Sequence, residues 1–560
     1  MDDKEPIVPL HKRITKHRAF LPFTLFIVVV ILFSFSSQFS DRPPVIKLIT
    51  PEVGYPGDIL VLVGKHFGKE RKGGEVTIAG ARPVSASYLE WHDERISVRI
   101  PGDAGSGMVN VITRNGKSKG VLFTNRNHIP IVLSGPAQPG HPFIENITPT
   151  KGSVGTLITI TGLNFGLERG GGKVFFTPVT FTDSNRQVDE SDISNLISSS
   201  ESDFDYESWS DREIKVRVPD GASPGNIAVL TDRGLSNFDY FEVTSQAGTK
   251  LLKQKRGYQV QYGVQVRITS AEPGSSLFLW IPRVYQGLEQ SNMEVASEIQ
   301  PYWNDFRGVI VYKLDNLTSH SSYNVSQSFW FDRYAVETRI NISKIPEIYD
   351  KERRLFRFYT TPDSFVPSDD EKIKQISKSL VRGESNPYLK ARRIYDYLIQ
   401  RFSFVNDLSE KDILAGMNQK TADSYTYALL FCALSRAAGI PSRPVAGYVV
   451  YGDKLTARHF WAEFYIESVG WIPVDPALGD GAAFGNFPEV EDQVGYYFGN
   501  LDNQHIILSR GVLQVTPIQP HGKTIRKSNL YTLQTIHEEA SPNLESYSTL
   551  WQDLRVVDWW

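Results

Sequence analysis

The segment Asp423-Ser-Tyr-Thr-Tyr-Ala-Leu-Leu-Phe-Cys-Ala-Leu-Ser-Arg-Ala-Ala-Gly439 is apolar around nearly its whole circumference and is closed by Gly439 and Pro441. A helix of that kind has no solvent face, so this is predicted to be a buried central helix. Downstream, Arg458-His-Phe-Trp-Ala-Glu-Phe-Tyr-Ile466 alternates with period two, turns at Glu467-Ser-Val-Gly470 and returns as Trp471-Ile-Pro-Val-Asp475, which predicts a β-hairpin. If Ile466 faces Gly470, Trp461 faces Asp475. His459 then lies diagonally beside Asp475 on one face, about 7–8 Å away at the backbone and within side-chain reach.

Helix and hairpin together resemble the transglutaminase-like superfamily of papain-type folds. The resemblance is carried by the helix, Arg436-Ala-Ala-Gly-Ile-Pro-Ser-Arg443, Gly447-Tyr448, His459-x-Trp461-x-Glu463, Gly470-Trp471 and Val474-Asp475-Pro476, and covers residues 366–500. Asn500-Leu-Asp-Asn-Gln-His-Ile506 and Ser509-Arg-Gly511 look like the flanks of bacterial members. The resemblance implies nucleophile, base and orienting positions at Ser424, His459 and Asp475. Trp461 and Trp471 are expected to pack the hairpin, with Trp461 and Asp423 as candidate cleft walls. Family members carry cysteine where this chain has Ser424. A cysteine at a helix N-terminus beside histidine is largely thiolate, whereas serine needs its proton removed in the transition state. The departure therefore implies a non-catalytic homologue that binds peptide, protein or envelope polymer. The alternative is a serine-type amidase, protease or acyltransferase using Ser424, His459 and Asp475. A plainer role is also open: serine is a good helix N-cap, and His459 with Asp475 can be a buried hydrogen-bonded pair. Cys432, the single cysteine, sits two turns into the helix, about 12 Å from its start, and is expected to be a core residue.

Ahead of this core lies an internal repeat. Ile49-Thr-Pro51 recurs as Ile147-Thr-Pro149, and at the same offset of 98 Gly57, Gly64 and Phe67-Gly68 recur as Gly155, Gly162 and Phe165-Gly166. The register resumes at an offset of 118, where Trp91 and Ile96-Ser-Val-Arg-Ile-Pro101 match Trp209 and Ile214-Lys-Val-Arg-Val-Pro219, so the second copy holds 20 more residues. These lie within about 182–208, rich in Ser, Asp and Glu, and are expected to form an exposed loop. Short β-rich runs with glycine turns predict sandwiches. The Pro-x-x-Gly-x-x-Gly pattern followed by a strand and Asn-Phe-Gly resembles the IPT/TIG immunoglobulin-like domains over 43–125 and 141–244. That resemblance implies spacer or protein- or glycan-binding modules, and an adhesin acting through the repeats alone is a further alternative.

Between repeat and core, Tyr258-Gln-Val-Gln-Tyr-Gly-Val-Gln-Val-Arg-Ile268 opens a third predicted sandwich, 250–362, ending near Leu355-Phe-Arg-Phe-Tyr-Thr360. Residues 501–560 form a C-terminal extension whose terminal Trp559-Trp560 is expected to dock on the core. At the other end, Ala19–Ser40 has no charged side chain, and Lys12, Arg13, Lys16 and Arg18 precede it. This predicts a cytoplasmic basic tail at 1–18, a signal anchor at 19–37 spanning a membrane, and the rest outside, in a bacterial envelope setting. A net charge of −3 over 560 residues argues against nucleic acid as partner. The chain has neither a phosphate loop nor paired-cysteine or His-x-x-x-His spacing, so no cofactor and no metal is expected.

Overall fold

The computed structural model describes residues 42–560 except 56, 103, 126–139, 180–192, 194–195, 407–412, 419, 483, 485–489, 520 and 528–530. The basic tail and the predicted anchor at 19–37 lie outside the described residues. Among those described, no helix is long and apolar enough to cross a membrane. The chain divides into two compact units, one up to residue 130 and one from residue 131 onward.

The first unit is a β-sandwich. One sheet carries Val45–Thr50, Ile59–Lys65, Arg95–Arg99 and Tyr88–His92 in that order, and the other is built on Val53–Gly54, Val121–Asn125, Gly107–Thr113 and Glu75–Ile78. The second copy repeats the first sheet with Phe143–Thr148, Leu157–Leu163, Glu213–Arg217 and Tyr206–Trp209. The residues common to the two copies do the same work in each. Trp91 Nε1 donates to the Phe67 carbonyl at 3.0 Å and Trp209 Nε1 to that of Phe165 at 2.9 Å. The Gly68 and Gly166 N–H groups donate to Asp93 at 2.9 Å and Asp211 at 3.0 Å. Gly64 and Gly162 let two backbones meet: a Cβ at either would stand 2.0 Å from the carbonyl oxygen of Val45 or Phe143.

The extra segment of the second copy is not simply a solvated loop. Its described part pairs Ile197–Ser198 with Phe175 and Phe176, then docks Asp203-Phe204-Asp205 against the C-terminal core. Asp203 takes a 2.7 Å hydrogen bond from Arg443, which is 1% exposed. The Phe204 ring lies 5.1 Å from Phe358, and the Tyr359 hydroxyl donates to the Ser202 carbonyl at 3.0 Å. The acidic composition that suggested solvation instead supplies the partner of a buried guanidinium, which without one would lie desolvated and uncompensated.

The third sandwich is longer in sequence than predicted and ends differently. Its two long strands, Gly248–Ser270 and Ser322–Ile340, pair over most of their length. Leu355-Phe-Arg-Phe-Tyr-Thr360 belongs to a helix, Arg354–Thr360, rather than a last strand. The missing strands come from the C-terminus: Ser546–Trp551 and Arg555–Trp559 pair with the first long strand, and Glu538–Ala540 pairs with Leu277–Pro282. The expected C-terminal extension is therefore part of the sandwich. The last two tryptophans attach mainly through backbone, Trp559 opposite Tyr258 and Trp560 bonded to Gly257, and stay 38% and 54% exposed.

In the core, three helices, α1 (Glu371–Leu380), α2 (Pro387–Arg401) and α3 (Ser424–Ala437), accompany four antiparallel strands, β1 (Ser442–Tyr451), β2 (Leu455–Ile466), β3 (Gly470–Val474) and β4 (His505–Arg510). The sheet order is β3-β2-β1-β4. Asp370, Asn386 and Asp423 cap the three helices by accepting backbone N–H groups. Helix α3 is buried on nearly every side. It packs with Phe460, Ala462 and Phe464 of β2, while Tyr448, Val450, Ile506 and Leu508 of the same sheet join the core of the third sandwich. Sheet and helix are thus enclosed from both sides.

Replacing Asp203 with alanine removes one partner of the buried Arg443 while Glu463 keeps the other, 2.8 Å from Nε. The expected cost is about 2 kcal/mol of unfolding free energy, measurable by denaturant unfolding, with faster proteolysis between the second repeat and the third sandwich. An unchanged midpoint would show that this docking is incidental.

Candidate functional site

The predicted hairpin register holds: Ile466 faces Gly470 and Ala462 faces Val474. That register places His459, near the middle of β2, beside Asp475, the residue after β3. His459 Nε2 lies 2.6 Å from Asp475 Oδ2, with both side chains fully buried. The other Asp475 oxygen accepts the Leu478 N–H at 3.0 Å and so caps the short helix Pro476–Gly479. Ser424 opens α3 as its first helical residue, with Asp423 rather than Ser424 as N-cap. The Ser424 Oγ, 2% exposed, accepts the Phe460 N–H at 3.3 Å. The three predicted residues therefore converge on one end of β2. The His459 Nδ1 is buried and makes no hydrogen bond among the described residues.

Trp461 packs into the sheet, the first of its two expected roles, and neither Trp461 nor Asp423 is exposed as a cleft wall would be. Both are fully buried. Asp423 is spent on capping, accepting Thr426 N–H at 2.8 Å. Trp461 packs with Val445, Leu501 and Ile507, its ring 6.1 Å from that of His459 and nearly parallel. Two residues apart on one strand, Trp461 and His459 share a face of β2, and the indole packs beside the imidazole. Cys432 is a core residue, as expected, and burial pushes its thiol up to about 12.

A second histidine, which the sequence reading did not assign, completes the cluster. His505 at the start of β4 sets Nε2 3.1 Å from Asp475 Oδ2 and Nδ1 2.8 Å from Asp502 Oδ1. It reaches the site because β1 lies between β2 and β4, and because Gly447, opposite His459, has no side chain. A Cβ there would stand 1.9 Å from the Ile506 carbonyl oxygen. The signal was present as Asp502-x-x-His505 inside Asn500–Ile506, but no local periodicity ties it to Asp475. Burial alone would raise the Asp475 carboxyl; the hydrogen bonds from His459 and His505 and the charge of the cluster outweigh it and hold the group well below its ordinary range. Burial likewise opposes charge on His505, and the Asp502 charge with both carboxylate hydrogen bonds overcomes it, raising His505 to about 9.

Among the described residues, His459, Asp475 and His505 are the group with metal-compatible proximity, their ligand atoms lying within 4.8 Å of one another. The 2.6 Å contact is nevertheless shorter than the roughly 3.3 Å between two ligands on a tetrahedral ion with bonds of about 2 Å. It is the length of a charge-assisted hydrogen bond.

His505 binds its proton more tightly in the folded chain, so its stabilisation is complete below pH 6.5 and is lost as pH rises through about 9. Wild-type unfolding free energy should fall across that window by on the order of 3 kcal/mol more than that of His505→Gln. Denaturant titrations at pH 6 and 9.5 measure this, and parallel slopes would contradict it.

Comparison with known proteins identifies two kinds of domain in the chain. Residues 374–476 match the transglutaminase-like superfamily, and residues 44–125 and 142–244 match the IPT/TIG domain. An uncharacterised protein of Haemophilus influenzae is 23% identical over 274 residues, covering 40% of this chain and 70% of that protein. A cyclomaltodextrin glucanotransferase of Paenibacillus macerans is 25% identical over 88 residues, covering 16% of this chain and 12% of the enzyme. The solved structure of a candidate cysteine protease from Cytophaga hutchinsonii aligns over 55% of this chain and 93% of its own, with 13% identity and a TM-score of 0.38. The chain thus carries a transglutaminase-like core, residues 374–476, behind two IPT/TIG domains within residues 44–244.

Proposed function

We propose that this chain is a non-catalytic member of the transglutaminase-like superfamily, a binding or scaffold protein anchored at a bacterial cell envelope. The observation that carries the reading is at Ser424. Its hydroxyl is buried and accepts a backbone N–H, while the Nδ1 of the neighbouring His459 has no hydrogen-bond partner among the described residues. A serine nucleophile needs its hydroxyl to donate to a base within about 2.6–3.2 Å, because serine has no reactive anion at neutral pH. Serine, unlike cysteine, cannot be ionised in advance by a neighbouring imidazole, so serine at this position lacks the reactive anion while keeping the fold. The pair His459–Asp475 persists because Asp475 also caps a helix and holds His505.

On this reading the two IPT/TIG domains act as spacers between a span at 19–37 and the C-terminal unit. The ligand is a peptide, protein or envelope polymer held without turnover. Treatment of the full chain with a serine-directed fluorophosphonate should leave Ser424 unlabelled, with adduct mapping the same for wild type, Ser424→Ala and His459→Ala. Labelling of Ser424 that disappears in His459→Ala would establish an activated serine and replace this reading with a serine-type acyl enzyme.

A further inference from the structure

His505 lies between two carboxylates, and that position fixes its protonation by geometry. Asp502 Oδ1 is 2.8 Å from Nδ1 and Asp475 Oδ2 is 3.1 Å from Nε2. Carboxylate oxygens only accept, so each ring nitrogen carries a hydrogen, and an imidazole with two hydrogens is a cation. The other charged or titratable groups around it support that state. Tyr497 donates its hydroxyl to Asp502 at 3.1 Å and Gln504 its N–H at 2.9 Å, which favours the Asp502 anion. Arg333 Nε donates to the His505 carbonyl at 2.6 Å, and its charge is answered by Glu289 and Asp502. Tyr258 near Asp502 and Tyr395 near Asp475 are kept neutral by burial.

Asp475 therefore serves two histidines through one oxygen. His459 Nε2 contacts the same Oδ2 that His505 occupies, and the two rings lie 5.6 Å apart. Any positive charge on His459 would share a half-neutralised carboxylate and face a cation across the cluster, in a site from which water is excluded. We infer that His505 is a positioning residue that sets the protonation of His459, holding its imidazole neutral by occupying Asp475 as a cation. The inference deepens the non-catalytic reading and rests on it in one respect: it supplies a reason that this pocket would not form an ion pair with a nucleophile even if one were restored.

The test is histidine NMR on the full chain labelled at the imidazole carbon between the two nitrogens, with the His459 resonance assigned through His459→Gln. His505→Gln removes the cation and keeps a donor toward Asp475. Asp502→Asn preserves the shape of the cluster while releasing His505 to the neutral form, and it decides the matter if His505→Gln does not fold. In either variant His459 is expected to bind its proton at least about tenfold more tightly, one pKa unit, than in wild type. A second measurement follows iodoacetamide alkylation against pH in Ser424→Cys. Adding Asp502→Asn should move the thiol profile to lower pH, because a protonated His459 stabilises the thiolate. A His459 titration unchanged in both variants overturns the inference, as does a thiol profile that moves to higher pH. Neither outcome depends on whether Ser424 reacts with a fluorophosphonate, so failure here is separate from failure of the proposed function.

Discussion

One buried carboxylate, Asp475, holds the end of the core together. It accepts from His459 on the neighbouring strand, from His505 two strands further across the sheet and from the backbone of the helix that follows it. A carboxylate with no exposure remains ionised where donors engage both of its oxygens. Here the engaged donors come from three separate segments, so the charge can be buried only after all three are in place. The residue thus fixes the mutual positions of β2, β4 and the Pro476–Gly479 helix. That role does not require catalysis, which is why the cluster can persist in a chain that has serine at the nucleophile position.

A second set of buried charges performs the same service at a larger scale. Arg443 sits between Glu463 of β2 and Asp203 of the second IPT/TIG domain, with the Trp471 ring 3.8 Å from its guanidinium carbon. Glu463 also pairs with Arg510 at 3.0 Å, and Arg510 pairs with Glu289 of the third sandwich. Such networks add little net stability against a well-packed apolar alternative, but they penalise any arrangement that leaves one charge unmatched. The second repeat, the third sandwich and the core thereby meet in a specified way. Lys250 with Asp220, and Asp220 with the Trp471 N–H, add a further polar link across the same junction.

How much of this was legible in the sequence follows from range. The α3 helix, the β2–β3 hairpin and the His459–Asp475 contact depend on residues within one helix or one turn, where periodicity and a tight turn fix register. The repeated Trp, Gly and Asp positions of the two IPT/TIG domains were legible because the same local geometry was written twice. The helix at 354–360 was misread as a strand because its aromatic residues alternate, while its burial comes from Phe204 and Tyr465 far away in sequence. Asp423 was placed correctly along the chain, but its carboxylate is taken up by the α3 cap instead of a cleft wall.

The sequence by itself therefore determined the kinds of domain present, the order in which they occur and the pairing of His459 with Asp475 across one hairpin. Only the tertiary structure decided that an acidic insertion is a docking element, that the C-terminal strands close the third sandwich, and that a second histidine shares Asp475. Each of these is a pairing between segments far apart in the chain, stabilised by desolvated charge or by backbone ladders. Neither leaves a periodic trace in either partner alone, because the requirement is met only when both surfaces are brought out of water together.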